Sequence, residues 1–104
     1  MATVLFTVKA TIAADREDAF NQWYNTEHCP QLLRFPGAVS ARRYRTILSD
    51  DQFQYMAVYE FDSEATFQRF QESDHFKELI ADYNANFGEV SERQRCAYVQ
   101  VWPG

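Results

Sequence analysis

The chain has 104 residues, 10 basic and 15 acidic, for a net charge of −5, which suits one domain over residues 1–104 and speaks against a general grip on nucleic acid. Three glycines leave no phosphate-cradling loop, no apolar run approaches the roughly 20 residues of a bilayer span, and the first residues lack a signal peptide's basic start, so a soluble, cytoplasmic protein with no membrane partner is expected. Nine Phe, six Tyr and two Trp exceed what a minimal core needs and point to a lined cavity or a subunit interface.

The first run, Thr3 to Ile12, is rich in β-branched residues and apolar on both faces, as a central strand is. Asp15 then reads as a helix N-cap, followed by Glu17 and Asp18 in the first turn. Pro30 is expected to end that helix, since the residue before a proline is pushed out of the helical region. Pro36-Gly37 makes a turn into a second strand, Ala38 to Leu48, carrying Arg42, Arg43, Tyr44 and Arg45. After the polar turn Ser49-Asp50-Asp51 comes a third strand, Phe53 to Phe61, apolar on both faces apart from Glu60.

Asp62 or Ser63 caps a second helix, and Ser73-Asp74 starts a further helical segment. There Phe76, Leu79, Ile80, Tyr83 and Phe87 form an i, i+3, i+4, i+7, i+11 stripe, with Gly88 at the C′ position. A fourth strand runs from Glu92 to Trp102. The order βαββαβ is that of an α+β, ferredoxin-like fold: a four-stranded antiparallel sheet with helices on one face and the first and third strands central. Two helices cover only one sheet face, so a second copy of the chain is expected on the other, as a homodimer.

The informative stretch is Phe20-Asn-Gln-Trp23-Tyr24-Asn-Thr-Glu27-His28. On an α-helical projection Phe20, Trp23 and Tyr24 face inward, Glu27 falls in the same arc and His28 at its margin. An inward carboxylate near a helix C-terminus needs a partner or a purpose, because burial and the helix dipole both disfavour its charge. Either Glu27 pairs with Arg43 or Arg45 as a structural ion pair, or it orients His28 and raises its basicity for general-base work beside the Tyr24 hydroxyl. His28 is then either a base or a cap on the last helical carbonyls. Glu27, His28 and Cys29 are consecutive and splay by about 100° per residue, so no metal set is expected. Arg43 and Arg45 share a strand face and either clamp a substrate carboxylate or blunt an edge strand, while Tyr44, Tyr55, Tyr59 and Tyr98 offer pocket walls. Cys96 reads as a small inward hydrophobe, and His75 as a solvated residue or local cap.

Phe20…Trp23-Tyr24…Glu27-His28…Pro30…Leu33…Phe35-Pro36-Gly37…Arg43-Tyr44, with Glu72-Ser73-Asp74 before the last helix, resembles the dimeric α+β barrel superfamily. Within it the resemblance is to EthD-like proteins, which include the methylmuconolactone isomerases, and it covers nearly the whole chain. It implies a cofactor-free enzyme, an isomerase or lyase, acting by proton transfer on a small cyclic or aromatic-derived metabolite. His28 matches the pocket histidine of the isomerase branch; where that branch has a cysteine after the third strand, this chain has Phe61-Asp62-Ser63. The catalytic group expected is His28, Glu27 and Tyr24, with Trp23, Arg43, Tyr44, Tyr55 and Phe20 around the substrate. The antibiotic-biosynthesis-type monooxygenases are a neighbouring branch, and a non-catalytic ligand-binding protein is the third alternative. In the haem-degrading enzymes of that branch the ligand falls near Ile80 of this chain rather than His75, so no haem is expected.

Overall fold

The structure, a computed structural model, describes residues 2–104. Four strands, β1 (Val4–Ala10), β2 (Ala38–Arg45), β3 (Tyr55–Phe61) and β4 (Arg93–Val99), form one antiparallel sheet in the order β2-β3-β1-β4. This is the ferredoxin-like arrangement, with β1 and β3 in the centre. Each strand is shorter than its apolar run, because Thr3, Thr46 to Gln54 and Gln100 to Trp102 lie beyond the ladder.

One long helical stretch connects β1 to β2. It opens with a 3₁₀ turn, Ala14–Arg16, and continues as α1 (Glu17–Trp23), a π-helical turn (Tyr24–His28) and α2 (Cys29–Leu32). Asp15 lies inside the 3₁₀ turn and does not cap α1, whose first residue follows Arg16 with no side-chain cap. Nor does Pro30 end the helix: the backbone stays helical through Leu32. The π turn explains this, since its wider i→i+5 spacing eases the clash between a proline ring and the preceding turn of carbonyls.

Beyond β3, α3 (Glu64–Glu72) and α4 (Asp74–Phe87) complete the helical layer. Ser63, not Asp62, caps α3 by accepting from Thr66 N–H at 3.1 Å, and Ser73 caps α4 by accepting from Phe76 N–H at 3.1 Å. Leu79, Tyr83 and Phe87 are buried from the α4 stripe. Gly88 follows α4 with right-handed backbone, φ −57°, so it is not a left-handed C′ glycine. Gly37 is the glycine the turn requires: its φ is +97°, and a Cβ there would collide with the Thr66 methyl.

The core lies between helices and sheet. Val4, Phe6, Val8 and Ala10 of β1 and Ala57, Tyr59 and Phe61 of β3 meet Phe20, Tyr24, Leu32, Phe67, Phe70, Leu79, Tyr83 and Phe87. Leu5, Thr7 and Lys9, opposite in the pleat, look out from the other face with Met56, Val58, Tyr44, Cys96 and Tyr98. Cys96 is therefore on the uncovered face, half-buried, rather than inward. Among the described residues no helix is long and apolar enough to cross a membrane.

Candidate active site

The π turn decides which side chain reaches the interior. Phe20 and Tyr24 point inward as expected, both buried, with Trp23 packed half-buried against them. A wider turn takes more residues to come round, so Glu27 has not returned to the inward face and His28 arrives there instead. Glu27 is exposed, lining an open groove of about 530 Å³ with Trp23, Thr26, Arg34 and Asp82. Both expected roles for Glu27 are overturned. The described residues contain two ion pairs, Lys9–Asp51 and Lys77–Asp74, neither involving Glu27, and no Glu27 oxygen bonds His28.

His28 itself is 7% exposed, and its Nδ1 is buried without a hydrogen-bond partner. Its ring stacks on Trp23 at 4.4 Å between centroids and 23° between planes. Tyr24 presents an edge at 5.0 Å, and the Tyr83 ring stands 6.1 Å away. It is thus not a cap on helical carbonyls. Burial first, then the charges of Arg93 and Arg43, hold its pKa down at about 4. The basicity expected from a carboxylate neighbour is absent; at neutral pH the imidazole is uncharged and one ring nitrogen is a lone-pair acceptor.

His28 lines a cavity of about 20 Å³ with Tyr24, Tyr59, Phe76, Leu79, Ile80, Arg93 and Arg95, among others. That volume holds a single water. Burial raises the Tyr24 phenol well above its ordinary pKa, keeping it protonated as a donor. The Tyr59 hydroxyl meets the Cys29 thiol at 3.8 Å.

The arginines are placed differently from the sequence-based expectation. Arg43 gives one hydrogen bond to Asn21 Oδ1 at 2.9 Å and another to Asn25 Oδ1 at 3.0 Å, and its guanidinium lies 4.5 Å from the Tyr24 ring centroid. It is occupied in holding α1 and the π turn to β2, and Arg45, two residues on, is exposed and does not line the His28 cavity. Tyr55 is held in the same network, accepting from Asn21 and donating to Glu17. Tyr44 and Tyr98 lie on the uncovered sheet face, away from the cavity.

Sequence reasoning missed Arg93 and Arg95. Their register partners are Ala10 and Val8, both inward, so the Arg-x-Arg alternation in β4 was the available signal. Arg93 stacks 3.7 Å over the Tyr83 ring and donates to Asn84 Oδ1 at 3.0 Å, while Arg95 is exposed. His75 is neither solvated nor a cap of its own helix, since its Nε2 meets the Gln31 carbonyl at 2.7 Å and ties α4 to α2. A larger open cleft of about 520 Å³ separates α3 from β4, bounded by Val4, Phe67, Gln68, Ala97 and Val99. Its carboxylates, Glu64 and Glu72, are exposed and none of its lining groups is a buried acid or base like His28, so the smaller cavity is the candidate site.

Fold and site together define an α+β protein with a ferredoxin-like fold. The chain belongs to the family described as "Domain of unknown function (DUF4286)", whose model matches residues 3–95. A comparison with curated proteins finds no match. Solved structures are similar in fold. A dabb family protein with a ferredoxin-like fold from Mesorhizobium loti has a TM-score of 0.78 at 15% identity, covering 97% of this chain and 99% of its own. An EthD family protein from Bacillus halodurans has a TM-score of 0.67 at 19% identity, covering 92% and 97%. A mutant of SnoaB, a cofactor-independent oxygenase from Streptomyces nogalater, has a TM-score of 0.58 at 21% identity, covering 98% of each chain.

Proposed function

We propose that the protein is a cofactor-free enzyme that isomerises, or eliminates from, a small cyclic or aromatic-derived metabolite by proton transfer at His28. The observation that carries this reading is the buried, uncharged imidazole with an unpartnered ring nitrogen, beside a cavity that also receives Tyr24 and two arginines. His28 takes a proton from a carbon next to a carbonyl, and the electron pair moves onto the carbonyl oxygen. The Tyr24 hydroxyl, which stays protonated, donates to that oxyanion. The imidazolium so formed lies against the Trp23 ring face, which attracts a cation. Returning the proton to a different carbon completes an isomerisation; expelling a leaving group that takes the proton completes an elimination. Neither route needs an electron acceptor.

The uncovered sheet face supports a homodimer as the working form. A second reading, a cofactor-independent monooxygenase, is favoured by the likeness to the SnoaB oxygenase mutant. In that case the substrate anion left by proton removal reacts with dioxygen.

The deciding experiment incubates a metabolite extract with wild type or His28→Ala, in air and under nitrogen, with a chelator present. A compound consumed only by wild type, equally in both atmospheres, supports the isomerase or lyase. Consumption that requires air moves the assignment to the oxygenase. If wild type and variant leave identical extracts, the proton-transfer reading fails in favour of a ligand-binding role.

A further inference from the structure

The acidic chain carries five more acids than bases, yet among the described residues no carboxylate pairs with the arginines at this cavity. Arg93 and Arg95 lie two apart on β4, on the side facing the helices. The neighbours that α4 contributes there are Phe76, Leu79, Ile80 and Tyr83, none of them anionic at neutral pH. From the helix before β2 come His28 and Tyr24, and from β2 comes Arg43. Two like charges therefore sit together beside a buried polar atom without a partner. Burial and the neighbouring Arg95 both press the Arg93 pKa down, the mark of a cation short of a counter-charge.

The space agrees with a particular shape of ligand. The cavity proper holds one water-sized group, so an anion can place one oxygen in it while the rest of the group lies at its mouth against the exposed Arg95. Along β4 it is followed by the wider cleft, as Arg95 gives way to Ala97 and Val99, and along β1 as Phe6 gives way to Val4. The helices leave this edge open: Ala97 and Val99 point to the helical side and are exposed nonetheless. The cleft walls combine the apolar Phe67, Ala97 and Val99 with Gln68, Gln71, Glu64 and Glu72; its volume suits a six-membered ring, and its carboxylates leave the anionic end of a ligand to the arginines.

We propose that the cavity is a carboxylate subsite, in which Arg93 and Arg95 bind the anionic group of a small planar acid beside His28 while its ring lies in the cleft between α3 and β4. This rests on the reading that the cavity is the reacting site and adds the substrate class. The paired guanidinium donors suit a two-oxygen anion. The bound anion also supplies the negative charge that favours a protonated His28, so the correct substrate raises the base strength of its own catalyst.

The test uses benzoate as the probe, its neutral isostere benzamide as control, and full-length protein at pH 7. Calorimetry reads binding, and the ring proton shifts of His28 report where the ligand sits; His75 is the other histidine and serves as reference. The expected result is a dissociation constant for benzoate of about 1 mM or tighter, and at least about tenfold weaker binding of benzamide. Arg95→Gln should weaken benzoate about tenfold, Arg95→Lys less, and the His28 shift change should fade in step, with circular dichroism showing that each variant is folded. Equal affinity for benzoate and benzamide overturns the proposal. So does benzoate binding that Arg95→Gln leaves unchanged, or binding that never moves His28. The two readings fail separately: benzoate seated on Arg95 in a protein without turnover leaves the subsite standing, and turnover of a neutral compound untouched by Arg95→Gln leaves the enzyme standing.

Discussion

His28 couples the site to stability through one proton. Its folded pKa, about 4, is depressed from the ordinary 6.5, so between those values the unfolded chain binds a proton that the folded chain refuses. The stability this group supports is fully present above 6.5 and is lost as pH falls towards 4. At about 1.4 kcal/mol per unit, the loss is on the order of 3 kcal/mol. Urea unfolding of wild type and His28→Gln at pH 7 and pH 4.5 checks this. Wild type should lose the larger share of its midpoint, and parallel losses in the two proteins would remove the linkage. The same proton governs catalysis. A base with a low pKa keeps its active, deprotonated form into mild acid, so kcat/KM should hold down to pH 5 and fall only near 4. An acid limb centred near 6.5 would mean that His28 is not the base. Arg43 is one of the charges that lowers this pKa, so Arg43→Met should move the limb upward. It also removes two hydrogen bonds and the contact with the Tyr24 ring, a cost of about 1–3 kcal/mol in unfolding.

Among the secondary-structure elements, the strands and α4 were legible because each repeats a fixed period against one core. β1 and β3, apolar on both faces, take the two central places in the sheet, and the stripe from Phe76 to Phe87 faces the core with Leu79, Tyr83 and Phe87 buried and Phe76 and Ile80 half-buried. The site was less legible, because it sits where the period changes. An α-helical projection carries Glu27 inward, whereas the π turn leaves it exposed and brings His28 in. No residue type announces such a turn, although Pro30, surviving inside the helix, was its one local trace. The role of Arg43 was hidden for a second reason: its partners Asn21 and Asn25 are polar residues whose only signal is their position on α1 and the π turn. Adding one residue to the turn tests the argument. An alanine inserted after Thr26 should advance His28 by about 100°, swing it out of the core and abolish turnover; its ring should then titrate near 6.5, read by proton shifts. Retention of the low titration point would show that the register of the turn does not set the imidazole's position. At the next element, Ser73→Ala removes the cap of α4 and should cost about 1 kcal/mol, while the His28 pKa stays where it is.

At the scale of the whole molecule, one sheet face lacks a cover. Leu5, Tyr44 and Tyr98 on that face are 41%, 49% and 57% exposed, and Val58 and Met56 lie among them on the central strand β3. A four-stranded sheet with helices on one side buries that face only against another layer, and a second sheet from an identical chain matches it strand for strand. The face is not uniformly apolar: Lys9, Arg42 and Glu60 also stand on it, giving a self-complementary mixture of charges around an apolar centre. A charge at the middle should therefore undo association without unfolding the protomer. Val58→Glu places a carboxylate two residues from Glu60, on a surface that a separated protomer leaves to water, so the cost to the monomer fold is small. In the dimer the same carboxylate meets its symmetry mate in a desolvated interface, which is strongly unfavourable. Sedimentation at micromolar concentration should show a dimer for wild type and a folded monomer for Val58→Glu, with unchanged far-ultraviolet circular dichroism. A wild-type monomer under those conditions, or a dimer that ignores the glutamate, would mean that the open face has some other cover.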